Sequence, residues 1–129
     1  LKAAVAQAEG DLPQAAALAL NALMHFIPDA QDPYGIVNRL LEVLPTGSAL
    51  ALSHCTPDFD PDTWQKVTDI YNGAGTPVQF RSRQEVTRFF EGLDLLDPGV
   101  TVGHRWRPDV ATDATDAEVS LWTGVGIKR

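Results

Sequence analysis

Two histidines close two apolar runs in this chain, His25 in "NALMHFIPD" and His54 in "SALALSH". Imidazole titrates near neutrality, so a histidine at the end of a buried run can accept a proton from a substrate, bind a metal or simply pack. Cys55 follows His54 directly, but a further ligand at a recognisable spacing is missing and no metal site is expected. Arg81, Arg83 and Arg88 have the charge to meet an anionic substrate; their plainer reading is a solvated face around the start of a helix. Asp58 and Asp60 resemble a carboxylate pair, yet the Asp60-Pro61 step makes helix capping the simpler role. Trp64, Phe89, Phe90 and Trp106 stand at core-like spacings and are expected to pack.

The composition limits what these groups can serve. A chain of 129 residues, 44% hydrophobic and 21% charged, fits one globular domain that can bury a core. A formal charge of −7 argues against nucleic acid or an anionic membrane as the main partner. The single cysteine rules out an internal disulfide framework and makes a reducing, cytoplasmic setting the default. The longest apolar run, Ala15 to Ile27, is interrupted by Asn21 and His25 and is too short to span a bilayer; no basic leader precedes it.

The elements that would position the histidines can be read from periodicity. Leu1, Ala4, Val5 and Ala8 have helical spacing, with Gly10 and Pro13 as a stop. The segment from Ala15 to Phe26 suits either a helix, by propensity, or a doubly covered parallel strand ending near Met24. Asp32-Pro33 then opens an amphipathic helix carrying Ile36, Val37, Leu40, Leu41 and Leu44, and Ala49 to His54 forms a second apolar run. Two runs bracketing a helix read as a βαβ crossover, which sets the two carboxyl ends side by side. Further along, a helix carries Trp64, Val67, Ile70 and Tyr71 to a stop at "NGAG". Ser82 and Glu85 make a capping box before Val86, Phe89 and Phe90. Alternation predicts strands over Val100 to Trp106 and Val119 to Ile127, with an exposed loop over 108–118 between them.

"NALMHFIPDAQDPYGIVNRLLEVLPTGSALALSH", "RSRQEVTRFFEGLDLLDPGV", "HRWRPD" and "GVGIKR", in this order, resemble the C-terminal half of the S-adenosyl methyltransferase family, formerly a domain of unknown function. The resemblance implies an α/β fold: the distal half of a seven-stranded, Rossmann-like sheet, with two parallel strands, two antiparallel C-terminal strands and flanking helices. The last strand would lie beside the second parallel one. It also implies S-adenosyl-L-methionine as cofactor, a small-molecule methyl acceptor, and a rim where Met24 and Phe26 face the donor. On that rim His25 would act as base, and His54, Arg81 and Arg83 would face the acceptor. The glycine-rich turn and ribose carboxylate expected of the family's N-terminal half are absent here. The chain therefore reads as one partial domain, a fragment whose partner is the N-terminal half or a second copy of itself. The alternative is a non-catalytic interaction module on the same scaffold.

Overall fold

The computed structural model describes residues 15–129, and the helix expected near Leu1 to Ala8 lies outside them. The ambiguous first run is a strand, β1 (Ala17–Asn21), paired in parallel with β2 (Ala49–Cys55) so that Ala17 lies opposite Ala49 and Asn21 opposite Ser53. Pairing overrides the helical propensity of Ala and Leu, because it puts Leu18 and Leu20 on the same face as Leu50 and Leu52. The strand ends sooner than Met24. Ala22 turns out of the sheet with a φ of 52°, its N–H donating to both the carbonyl and the hydroxyl of Ser53 at 3.0 Å, and Met24–Phe26 coil into a 3₁₀ turn.

Between the parallel strands runs α1 (Pro33–Glu42), capped by Asp32, whose carboxylate accepts from the Gly35 N–H at 3.1 Å. At its other end the Lys128 amino group donates to the carbonyls of Leu41 and Leu44 at 2.7 and 2.6 Å, setting a cation at the helix C-terminus. After β2 come α2 (Pro61–Gly73) and α3 (Arg83–Thr87), the latter opened by the expected Ser82–Glu85 capping box. Gly75, with a φ of 81°, closes the "NGAG" turn after α2 as a helix stop.

The remaining strands are β3 (Leu93–Leu95), β4 (Thr101–Val102) and β5 (Leu121–Lys128), with α4 (Asp116–Val119) before the last. The order is β1-β2-β5-β3, with β4 also on β5, and β5 runs antiparallel to β2 as expected of the final strand. Three details differ from the sequence reading. There are three antiparallel strands instead of two, because Leu93–Leu95 gains its partner only from β5. The strand expected over Val100 to Trp106 stops at Val102, where Gly103–Arg105 form a 3₁₀ turn. Val119 ends α4 rather than starting β5, since Ser120 has a φ of 42°. Most of 108–118 is exposed, as expected, although its last residues belong to α4.

Leu20, Leu50 and Leu52 pack against Val37, Leu41, Val86, Phe89 and Phe90 on one face of the sheet. Gly124 and Gly126 of β5 make room there: a Cβ on Gly124 would lie 3.0 Å from Phe90 Cζ, and one on Gly126 3.0 Å from Leu93 Cβ. Phe89 and Phe90 are core residues as expected, whereas Trp64 and Trp106 are only half-buried.

Candidate functional site

The carboxyl ends of β1 and β2 lie side by side, and each delivers a histidine. His25, on the 3₁₀ turn after β1, is 6% exposed, with its ring 4.4 Å from that of Phe26, 5.4 Å from Phe80 and edge-on to His54 at 5.6 Å. Its Nδ1 is fully buried and has no hydrogen-bond partner. Burial, reinforced by the nearby Arg81 charge, holds its pKa below the usual histidine value, so the ring is in the neutral form that can take up a proton at pH 7.

His54 is different. It is completely buried, with Nδ1 2.8 Å from the Cys55 carbonyl and Nε2 3.0 Å from Arg81 Nη1. Arginine can only donate, so Nε2 is the acceptor and the ring proton sits on Nδ1, donated to the Cys55 carbonyl. Burial, opposed by that carbonyl and assisted by Arg81 and His25, pushes the His54 pKa down to about 3.

Arg81 is not on a solvated face. Its side chain is fully buried, Nη1 donating to the Met24 carbonyl at 3.1 Å and Nη2 to the Ile27 carbonyl at 2.9 Å and Asp29 Oδ1 at 2.8 Å. Asp29 also receives Gln79 Nε2 at 2.9 Å, and the hydrogen bonds from Arg81 and then Gln79 hold its carboxyl below the usual carboxylate value. Arg83 is exposed as expected, but its Nε donates to the Val100 carbonyl at 3.0 Å and its guanidinium lies 5.5 Å from the Trp122 ring centroid. Arg88 covers the ring of Tyr34 at 4.1 Å.

Of the expected site residues, the structure brings His25, Met24, Phe26, His54 and Arg81 together and sets Arg83 against β5 and the loop between β3 and β4. Their surfaces differ from the expectation, however. Met24 is 0% exposed and its side chain packs into the core, whereas Phe26 is 38% exposed and meets Tyr71 edge-on at 5.9 Å. His54 and Arg81 are buried against each other. Asp58 and Asp60 do not act as a pair: Asp60 caps α2 through the Thr63 N–H at 3.3 Å, while Asp58 accepts from the Arg83 N–H and from Trp122 Nε1, each at 2.8 Å. Burial raises the pKa of the half-buried Cys55 thiol, which makes it a poor nucleophile. Among the described residues no cluster of three His, Cys, Asp or Glu could hold a metal.

Asp29, Gln79, Phe80 and Tyr71 were not legible as site residues. Asp29 stands in the conspicuous "HFIPD" stretch, but its partners lie 50 and 52 positions away, at Gln79 and Arg81.

Two parallel strands joined through a helix, a long antiparallel strand lodged beside the second, and histidines at the carboxyl ends together define the distal half of a methyltransferase-type α/β sheet. The chain belongs to the S-adenosyl methyltransferase family, whose model matches residues 1–129. It is similar to a DUF574-family protein from Streptomyces avermitilis, at 39% identity and a TM-score of 0.89, over 92% of this chain and 46% of that one. It is also similar to a Thermobifida fusca protein described only provisionally as a methyltransferase, at 25% identity and a TM-score of 0.73, over 92% and 45%. The chain thus spans less than half the length of either structure. No curated protein matches it. Among the described residues no glycine-rich turn follows a parallel strand. Nor is any described helix long and apolar enough to cross a membrane.

Proposed function

We propose that this chain forms the acceptor-side wall of an S-adenosyl-L-methionine-dependent methyltransferase that modifies a small molecule. The observation that carries the reading is His25: a neutral imidazole at the carboxyl end of a parallel strand, 6% exposed, whose buried Nδ1 leaves Nε2 as the ring nitrogen able to face an acceptor. Ligands of open α/β sheets lie at these ends. There His25 is suited to accept the proton an acceptor gives up on methylation, with Phe26 and Tyr71 as the exposed apolar surface beside it. His54 and Arg81, held by each other and by backbone carbonyls, support this wall without touching the acceptor.

The donor would be gripped mainly by the rest of the domain. Its attachment is through β1, which among the described residues pairs only with β2 and carries Ala17, Ala19 and Asn21 exposed, with neither lysine nor proline to blunt the edge. We infer that β1 pairs with a strand of the N-terminal half or, without it, with a second copy of this chain. Titration calorimetry tests the division of labour. This chain alone should bind S-adenosyl-L-methionine weakly or not at all, whereas a protein containing the N-terminal half should bind it at micromolar concentration. Micromolar binding by this chain alone would overturn the proposal.

A further inference from the structure

Arg81 carries a full positive charge with no exposed side-chain surface, and it sits directly under the turn that bears His25. The arrangement is costly unless it does something, since a buried guanidinium needs nearly all its donors satisfied. Its donors are divided in a particular way. One Nη takes the carbonyl of Met24 and the other that of Ile27, the first residue of the 3₁₀ turn and the residue just after it, while Asp29 binds the outer nitrogen. Behind the fork stands His54, whose Nε2 accepts from the nitrogen that holds Met24 and whose ring orientation is fixed by the Cys55 carbonyl. Gln79, two residues before Arg81, closes the same turn from outside: its N–H donates to the His25 carbonyl at 2.8 Å and its side chain binds the Asp29 N–H at 2.8 Å.

We propose that Arg81 is a positioning residue for the methyl-transfer site, a two-pronged clasp that fixes the turn from Met24 to Ile27 and thereby aims the His25 ring, with His54 as its neutral backstop and Asp29 as its counter-ion. The proposal rests on the reading of His25 as the acceptor's base. It reassigns Arg81 from substrate contact to support, because no part of its side chain reaches solvent.

Histidine side-chain ¹⁵N spectra and amide hydrogen exchange test it. In the wild type, His54 should show its proton on Nδ1. Arg81→Gln should move the His25 titration upward, since a cation that depresses it is gone, and should speed exchange of the Phe26 and Ile27 amides at least tenfold while Leu50 to Leu52 keep their protection. Arg81→Lys keeps a charge but cannot fork; it should leave the His25 titration near that of the wild type and still loosen the turn. If Arg81→Gln does not fold, Asp29→Asn, altering a carboxylate 57% exposed, should give faster Ile27 exchange in a folded chain. Unchanged turn exchange in the folded variants would overturn the clasp, as would an unmoved His25 titration in a folded Arg81→Gln. In a complete, active protein Arg81→Lys should lower kcat with donor KM unchanged. These spectra need no acceptor. Full turnover by His25→Ala would instead sink the reading of the base itself.

Discussion

Strands β1 and β2 open on the same four residues, Ala-Leu-Ala-Leu, and the chain after each leads to an Asp-Pro helix start, Asp32-Pro33 and Asp60-Pro61. Between those points they diverge. Strand β2 continues through His54, keeping the ring within the sheet's packed face, where both nitrogens find partners. Strand β1 is ended by Ser53, whose carbonyl and hydroxyl take the Ala22 N–H, so its histidine lies on a turn with Nδ1 unpaired. A buried polar atom without a partner costs about 1–3 kcal/mol, and among the described residues His25 Nδ1 shares that state with Arg81 Nε, His104 Nδ1, Trp106 Nε1 and Thr123 Oγ1. Two histidines that each follow an apolar run are thus placed differently by a difference in strand length, His54 with both ring nitrogens partnered and His25 with Nδ1 unpaired.

The contrast can be broken from the structural side first. His54→Leu leaves the Cys55 carbonyl without its donor and Arg81 one acceptor short, and should cost about 2–4 kcal/mol in denaturant unfolding. The wild-type pH dependence has a definite sign. His54 has a pKa of about 3 when folded against 6.5 as the reference value, so its contribution is fully present above 6.5 and is lost as pH falls toward 3. Such a group weakens the fold by about 1.4 kcal/mol per pH unit within that window. Stability measured against pH should therefore be flatter in His54→Leu than in the wild type. The residual slope would come from His25 and Asp29, whose pKa values are also depressed. An unchanged slope would mean that His54 is not buried neutral.

Gly124→Ala probes the packed face that holds His54 in place. Its new methyl would press on Phe90 Cζ at 3.0 Å, and overpacking of this kind costs about 1–3 kcal/mol. Light scattering should show the same association as the wild type, because the β1 edge is untouched. Smallest should be Asp60→Ala. It removes the cap of α2, a helix with no buried residue, so a loss of about 1 kcal/mol or less should register as fraying by hydrogen exchange at the Thr63 amide rather than as global unfolding.

Much of this arrangement could be read from the chain. The Asp-Pro starts, the Ser82–Glu85 box and the alternation in β5 are local signals, and each placed its element because caps and period-two patterns act within a few residues. β3 escaped notice because three residues, Leu93–Leu95, become a strand only by pairing with Leu95 opposite Gly126 and Leu93 opposite Lys128. Within the site, the closeness of His25 and His54 was legible from the βαβ reading, which sets the two strand ends side by side. Arg81 was not: "RSR" before a capped helix looks solvated, and its burial depends on acceptors at Met24, Ile27 and Asp29, more than fifty residues earlier. Asp58 was misread for the same reason, since Arg83 and Trp122 reach it from distant parts of the chain.

The division between the two histidines is tested most directly by turnover of His25→Ala in a protein that includes the N-terminal half, with donor affinity and thermal stability measured on the same sample. Loss of general-base catalysis should lower kcat by roughly 10²-fold or more while S-adenosyl-L-methionine affinity and Tm stay close to the wild type. A variant that transfers methyl groups at the wild-type rate, or loses activity only in step with its stability, would show that His25 packs as His54 does and has no part in the chemistry.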